Sequence, residues 1–185
     1  MNKQPNPQGK GLVPVLDSLA ESRTQISVPP KHIDQISSEL FTSLFVLHSK
    51  FQFKPVVGKS YWLYRRGDSF HLSLIAPSEL GGSSFGQYIG ECNLQRDITW
   101  TLKLDADASQ DEELMCLIEN RRKEFEQALA AADSIDNALP VYLESLPFYQ
   151  RVFASALAGS LSVSMHKSGI QGLSYRQARG LLPKK

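Results

Sequence analysis

The chain has 185 residues, a formal net charge of +1, 42% hydrophobic and 21% charged residues, and only two cysteines. This composition suffices for one hydrophobic core with tails and differs from that of a disordered chain. No run of 18 apolar residues occurs and residues 1–10 lack an apolar stretch, so we expect neither a membrane-spanning segment nor a secretory signal. Two cysteines cannot build a disulfide framework, which favours a reducing, cytoplasmic location.

Charge is distributed unevenly along the chain. Residues 105–144 carry three basic and eleven acidic side chains, whereas residues 145–185 carry six basic and no acidic ones. A basic segment can bind an anionic partner, but charge blocks more often mark solvated faces. We predict a basic flexible tail over residues 166–185 and keep nucleic acid as an alternative partner for it.

The N-terminal part divides into an arm and a helix. Residues 1–28 are rich in proline and glycine and predict an extended arm, in which apolar residues within 12–19 could dock on the rest of the chain. Pro29 and Pro30 mark a helix start, because proline fits the first helical turn. Apolar residues then recur at spacings of three and four, which predicts a helix over residues 30–50 with one apolar stripe.

The middle of the chain, residues 59–104, has the pattern of a small antiparallel β-meander. Aromatic and β-branched residues alternate with polar ones, and Gly67-Asp68 is a two-residue turn signal between the first two strands. The four predicted strands cover residues 61–66, 70–75, 86–92 and 94–104, with a loop rich in glycine and serine before the third.

Helical patterning returns after the strands. Ser109 and Glu112 match a capping box, which predicts a helix over residues 109–132, and a second helical region covers residues 139–165. Strands and helices are segregated rather than alternating, which favours the α+β class. We therefore predict a single α+β domain over residues 29–165: an antiparallel meander of three to four strands packed against N-terminal and C-terminal helices.

Catalytic and metal-binding patterns are absent from the sequence. None of the four histidines lies three to five residues from another or beside a cysteine, so zinc spacing is missing. No nucleophile elbow occurs either. We expect no metal and no cofactor and favour a non-enzymatic protein, although a catalytic site assembled from distant residues would leave no local signal.

The predicted hairpin collects aromatic and basic residues on one face. Counting outward from the two-residue turn pairs Tyr64 with His71 and Trp62 with Ser73, and puts Arg66 on the same face. An exposed face of this composition can bind peptides, or single-stranded nucleic acid by stacking. The alternative is that another part of the chain covers Trp62 and Tyr64, which would then belong to the core.

The same region resembles a known family. The residues that carry the resemblance are Gly58, Tyr61, Leu63, Tyr64, Arg66, the run Leu74-Ile75-x-Pro77, Gly90 and the run Leu94-Gln95-x-Asp97-Ile98-Thr99-Trp100. The pattern is similar to that of the domain-of-unknown-function family DUF2452, over roughly residues 6–120. The resemblance implies a small intracellular protein and no particular activity. Family members of the human type carry a tryptophan where this chain has Leu80, so no role of that tryptophan carries over.

Two kinds of site remain open, built from the candidate binding residues Trp62, Tyr64, Arg66, His71, Ser73 and Asp97. The first is a binding or adaptor module that uses the hairpin face for a protein or peptide partner. The second is a small-ligand protein or enzyme with a deep pocket into which Arg66, His71 and Asp97 converge. Asp97 could instead form a structural ion pair with Arg65 or Arg66. The oligomeric state stays open.

Overall fold

The computed structural model describes residues 28–80 and 85–182. Of the predicted arm, residues 1–27 lie outside the described part, as do four residues of the predicted glycine- and serine-rich loop. In chain order, the described elements are α1 (Ile33–Leu47), β1 (Ser60–Arg66), β2 (Ser69–Ser73), β3 (Gln87–Leu94), β4 (Trp100–Leu104), α2 (Ala106–Gln110), α3 (Glu112–Ala131), α4 (Phe148–Lys167) and α5 (Tyr175–Gly180).

The four strands form one antiparallel sheet with the order β2-β1-β3-β4. The predicted α+β class is thus confirmed, with helices contributed by both ends of the chain. The strand order differs from that of a simple meander, because β1 lies between β2 and β3. Since β2 and β3 are both antiparallel to β1 and lie on either side of it, they run in the same direction, and the connection between them passes across β1. The described residues of this connection, 74–80 and 85–86, are here called the crossing segment.

The β1–β2 hairpin has the register that its turn predicts. Tyr64 pairs with His71, and Trp62 pairs with Ser73. Gly67 in the turn has a φ of +57°, a conformation that glycine adopts without the penalty a side chain would bring. The first hairpin is therefore specified by local sequence.

The β3–β4 connection corrects the prediction of one continuous strand over residues 94–104. Residues 95–99 form a turn, closed by a hydrogen bond from the Gln95 N–H to the Thr99 carbonyl (2.8 Å). Ile98 in this turn is buried and has a φ of +66°, which is rare for a β-branched residue. Alternating polarity alone does not distinguish such a turn from a strand, because Ile98 fills the core position that a strand residue would take.

The helices pack against one face of the sheet, here called the inner face. Helix α1 lies along β4 and contacts α4 and α5. The Trp100 N–H at the start of β4 donates to Ser43 Oγ of α1 (2.8 Å), and the buried Gln150 amide donates to the Leu47 and Ser49 carbonyls at the end of α1. The strand residues of the core are Tyr61, Leu63, Phe70, Leu72, Ile89, Cys92, Leu94 and Trp100.

The C-terminal helices begin later than the sequence predicts. Helix α3 starts at Glu112, where the Asp111 carboxylate accepts from the Leu114 N–H (3.0 Å). Ser109 belongs to the short α2 instead, so the predicted capping box does not form. Helix α4 begins only after Pro147, because proline is accommodated at a helix start and not within it.

The region predicted to be a flexible tail is packed up to the end of the described residues. Gly169 and Gly172 have positive φ and turn the chain back after α4. The short helix α5 then follows, with a capping box formed by Ser174 and Gln177. Its Ala178 is 2% exposed and belongs to the hydrophobic core. A few well-placed apolar residues therefore fix a segment whose composition resembles that of a tail.

Candidate functional site

The candidate site is the sheet face opposite the helices, which we call the outer face. Strand pairing defines its members, because residues directly opposite each other point to the same side. Trp62 pairs with Ser73 on β2 and with Glu91 on β3, and Glu91 in turn pairs with Lys103 on β4. The outer face consists of Ser60, Trp62, Tyr64, Arg66, Ser69, His71, Ser73, Tyr88, Glu91, Asn93, Thr101 and Lys103.

The segment that connects β2 to β3 crosses this outer face at Tyr64. The Tyr64 hydroxyl donates to the Ile75 carbonyl (3.0 Å), and its ring lies 5.0 Å from that of Phe85 and 5.6 Å from that of Tyr88. Tyr64 is consequently only 2% exposed, although it does not belong to the main hydrophobic core. The chain itself therefore covers one of the two aromatic residues that the sequence predicts for binding.

The crossing segment approaches β1 closely at its end. Gly86 has a φ of +108°, and a Cβ at this position would lie 2.4 Å from the Arg65 carbonyl oxygen. Both the backbone conformation and the space thus require glycine here. This close contact fixes where the segment leaves the outer face and enters β3.

The crossing segment presents apolar surface where it leaves β2, next to the strand partner of Trp62. Trp62 is half-buried and is not part of the main core. Leu74 and Ile75 follow its strand partner Ser73 and are 58% and 41% exposed. The buried Ser73 hydroxyl accepts from the Ile75 N–H (3.0 Å), which holds this corner in place.

Basic side chains gather at the β2 side of the same face. Lys50 pairs with His71 as an isolated bridge, and its Nζ donates to Ser69 Oγ (3.1 Å). Burial, followed by the positive charges of Lys50 and Arg66, lowers the pKa of His71. Within the described residues, neither Lys50 nor Arg66 forms an ion pair. Two cations without an ion-pair partner among the described residues therefore lie close to the same imidazole.

Asp97 does not lie on the outer face. Its carboxylate pairs with the buried ammonium of Lys31 and accepts from the Thr99 hydroxyl (2.6 Å). The β3–β4 turn, which holds Asp97, lies near Ser60, the first residue of β1. Arg66 is six residues after Ser60 on the same strand, a distance of about 20 Å in an extended strand. The structure therefore brings Trp62, Tyr64, Arg66, His71 and Ser73 together on one face, and does not bring Asp97 to them.

Asp97 and Lys31 stabilise each other's charged form. Burial opposes ionisation of Asp97, but hydrogen bonds from Lys31 and Thr99 outweigh it, so the pKa of Asp97 is lowered. Burial likewise opposes the charge on Lys31, but its bonds to Asp97 and Glu39 raise the pKa of Lys31 above 10.5. Arg65, the other predicted partner of Asp97, pairs with Glu113 (2.6 Å). The Asp97 ion pair is thus structural and ties the β3–β4 turn to the start of α1.

A cleft of about 250 Å³ lies near Lys31, between the start of α1 and the C-terminal turn. Its walls include Ile33, Ile170 and Leu181, and they contain none of the predicted site residues. The Lys31 ammonium is engaged by two carboxylates, and the remaining lining combines apolar side chains with His32 and Ser168. This cleft does not match the pocket predicted around Arg66, His71 and Asp97.

Other reactive groups offer little chemistry in the part of the chain that the structure describes. Burial raises the pKa of the Cys92 thiol to about 12, so the thiol stays protonated at neutral pH. No group of three or more His, Cys, Asp or Glu there could hold a metal ion. None of the helices in residues 28–80 and 85–182 is long and apolar enough to cross a bilayer.

Comparison with known proteins identifies the family. A family model described as "Protein of unknown function (DUF2452)" matches residues 23–120, just over half of the chain. The chain belongs to the DUF2452 family. No curated protein and no solved structure matches it. The DUF2452 match includes α1 and the whole sheet, whereas α4 and α5 lie beyond it.

Most residues of the DUF2452 pattern make structural contacts. Tyr61 is buried, its hydroxyl accepts from the Val56 N–H (2.6 Å), and its ring stacks on Phe53. Trp100 is bound to α1 and Asp97 to Lys31, as described above. Arg66, Leu74 and Ile75 differ, because their side chains are exposed. Sequence reasoning missed Lys50, Leu74 and Ile75 as members of this surface. Lys50 is brought to it by the isolated bridge to His71, and Leu74 and Ile75 lie in the crossing segment, whose course follows from the strand order.

Proposed function

We propose that this DUF2452 protein is a non-enzymatic binding or adaptor module whose outer face binds an acidic segment of a protein partner. The observation that carries the proposal is the combination of Lys50 and Arg66, which lack ion-pair partners among the described residues, with the accessible apolar side chains Leu74 and Ile75. Trp and Arg side chains are enriched among the central contacts of protein interfaces, and Trp62 and Arg66 lie on the same face of β1.

Charge complementarity supports an acidic partner. The cations Lys50 and Arg66 lie near His71, whose pKa they lower. Glu91, the acidic residue of β3 on this face, lies opposite Trp62 of β1 and Lys103 of β4, and therefore away from His71 on β2. A carboxylate placed near His71 would therefore meet excess positive charge, which favours binding and speeds association.

The described residues of the outer face do not pair His71 with a nucleophile. His71 lies opposite Tyr64, whose hydroxyl is occupied by the Ile75 carbonyl and whose pKa is raised by burial and by Glu79. No described nucleophile is bonded to His71, so a nucleophile–base pair of the usual kind is not formed there. These contacts favour a binding role.

Selection from a random 12-residue peptide library on the immobilised full-length chain tests the proposal. We expect enrichment of peptides that combine Asp or Glu with large apolar residues, and loss of this enrichment in the Trp62→Ala/Arg66→Glu double variant. The charge- and aromatic-matched control is Tyr142→Ala/Lys123→Glu, because both residues are exposed and lie outside the outer face. Equal enrichment by the double variant, or no enrichment by the wild type, would contradict the proposal.

The basic C-terminal segment gives less support to the nucleic-acid alternative. Arg179 pairs with Asp34 (3.3 Å), and the Lys167 ammonium donates to the Val28 carbonyl (2.7 Å). These cations therefore have partners within the chain. Binding of a single-stranded oligonucleotide that weakens steeply with salt would favour this alternative over the peptide-binding role.

A further inference from the structure

Helix α4 has a solvent-facing stripe without charge. Residues 152–165 contain no Asp, Glu, Lys or Arg. Helical spacing places Tyr149, Val152, Ala156, Gly159 and Val163 in one row. All five are at least partly exposed, with Tyr149 at 56% and Val163 at 46%. A helix that faces water normally carries polar and charged residues on that side, so this stripe has the character of a covered surface.

The N-terminal arm reaches the described part of the chain at the C-terminal end of this helix. Val28 is 6% exposed, and its carbonyl accepts from Lys167 Nζ (2.7 Å). The Pro29 carbonyl accepts from Ser164 Oγ (2.7 Å), also on α4. The point at which residues 1–27 join the domain is therefore fixed next to the last turn of α4.

The arm is long enough to cover the stripe. Leu16 precedes Val28 by twelve residues, which span up to about 40 Å when extended, whereas α4 is about 30 Å long. The uncharged run 11–16 extends over about 20 Å, and the distance from Tyr149 to Val163 along the helix is about 21 Å. An uncharged segment and an uncharged stripe thus match in length.

We propose that residues 11–16 of the arm dock on the solvent-facing stripe of α4 in the same chain. The docking side chains are Leu12, Val13, Val15 and Leu16. The bonds that hold Val28 and Pro29 on α4 keep the arm at high local concentration, which favours it over a second copy of the chain. The stripe is accordingly an intramolecular docking surface, distinct from the outer face of the sheet.

Disulfide trapping in the full-length chain tests this assignment. Cysteine is introduced at Leu16 together with one of three stripe positions, Val152, Ala156 or Val163, in a Cys116→Ser background, since Cys116 is the exposed native cysteine. A disulfide requires Cα atoms within about 7 Å. We expect a within-chain disulfide with at least one stripe position and none with the control Gln127→Cys on α3, which is also exposed. Disulfide-linked dimers through the stripe would assign it to a second copy and overturn the proposal, as would equal trapping at Gln127.

A charged substitution in the stripe gives an independent readout. Val163→Glu should leave the core intact, because this side chain is 46% exposed and is not among the residues packed against the core. We expect hydrogen exchange of residues 11–20 to be slowed in the wild type and to speed up in Val163→Glu, with the melting curve still cooperative. Exchange of the arm at the same rate in both proteins would contradict docking.

Discussion

Tyr64 and Arg66 are two residues apart on the same face of β1, and their environments differ. Tyr64 is covered by the crossing segment and bonded to the Ile75 carbonyl, whereas Arg66 is exposed. Both belong to the residues that carry the family resemblance, so that pattern combines a structural residue with a surface residue. The proposed function depends on Arg66 and leaves Tyr64 a structural role.

Substitution of these two residues should separate stability from binding. Tyr64→Phe removes the hydrogen bond to Ile75, and we expect a loss of about 1 kcal/mol in the free energy of unfolding with peptide binding retained. Arg66→Glu should change unfolding by less than about 0.5 kcal/mol and weaken binding of acidic peptides. Urea unfolding measures the change in stability, and titration with a peptide from the library measures the change in binding. Binding lost in Tyr64→Phe and kept in Arg66→Glu would reverse the roles assigned here.

The Lys31–Asp97 pair predicts a particular dependence of stability on pH. Because the pKa of Asp97 is lowered on folding, the contribution of Asp97 to stability is present above the ordinary aspartate pKa of 3.8 and is lost as pH falls through the lowered pKa of the folded state. Because the pKa of Lys31 is raised, its contribution is lost only as pH rises above 10.5. We expect Asp97→Asn to lose about 2 kcal/mol at pH 7 and to show a shallower acid transition. Acid unfolding curves of equal steepness for the wild type and Asp97→Asn would contradict a stabilising role of the Lys31–Asp97 pair.

At the scale of elements, the crossing segment decides which part of the outer face is accessible. Gly86 fixes its end against β1, whereas Gly58 also has a positive φ (+77°) but open space around its Cα. We expect Gly86→Ala to cost more free energy of unfolding than Gly58→Ala, which bears only the conformational penalty of about 1–2 kcal/mol. Urea unfolding of the two variants measures the difference. Equal losses would mean that the crossing segment is not held at this contact.

The hairpin and the crossing segment also show what sequence can specify at this scale. A two-residue turn fixes the register of β1 and β2, so Trp62, Tyr64, Arg66, His71 and Ser73 could be assigned to one face from sequence. The position of β3 could not be assigned from sequence, because a third strand can pair with either strand of a hairpin. Tyr64 is covered because β3 pairs with β1, so that the connection from β2 crosses β1.

At the scale of the molecule, the α+β class and the first helix follow from periodicity, whereas the C-terminal packing does not. Ile170 and Ala178 are buried in a stretch of glycine, serine and basic residues, and isolated apolar residues give no periodic signal. Ile98 is a similar case, since a buried β-branched residue in a turn looks like part of a strand. In both regions tertiary contacts decide what local sequence leaves open.

Collisional quenching of tryptophan fluorescence in the full-length protein tests the central claim most directly. The chain has two tryptophans, Trp62 on the outer face and Trp100, which is 1% exposed. If the outer face is accessible and cationic, iodide should quench part of the emission, caesium should quench much less, and Arg66→Glu should reduce the difference. Absence of quenching by iodide would show that Trp62 is covered, and equal quenching by both ions would show that the face is not cationic. Either result would contradict an outer face that binds acidic partners.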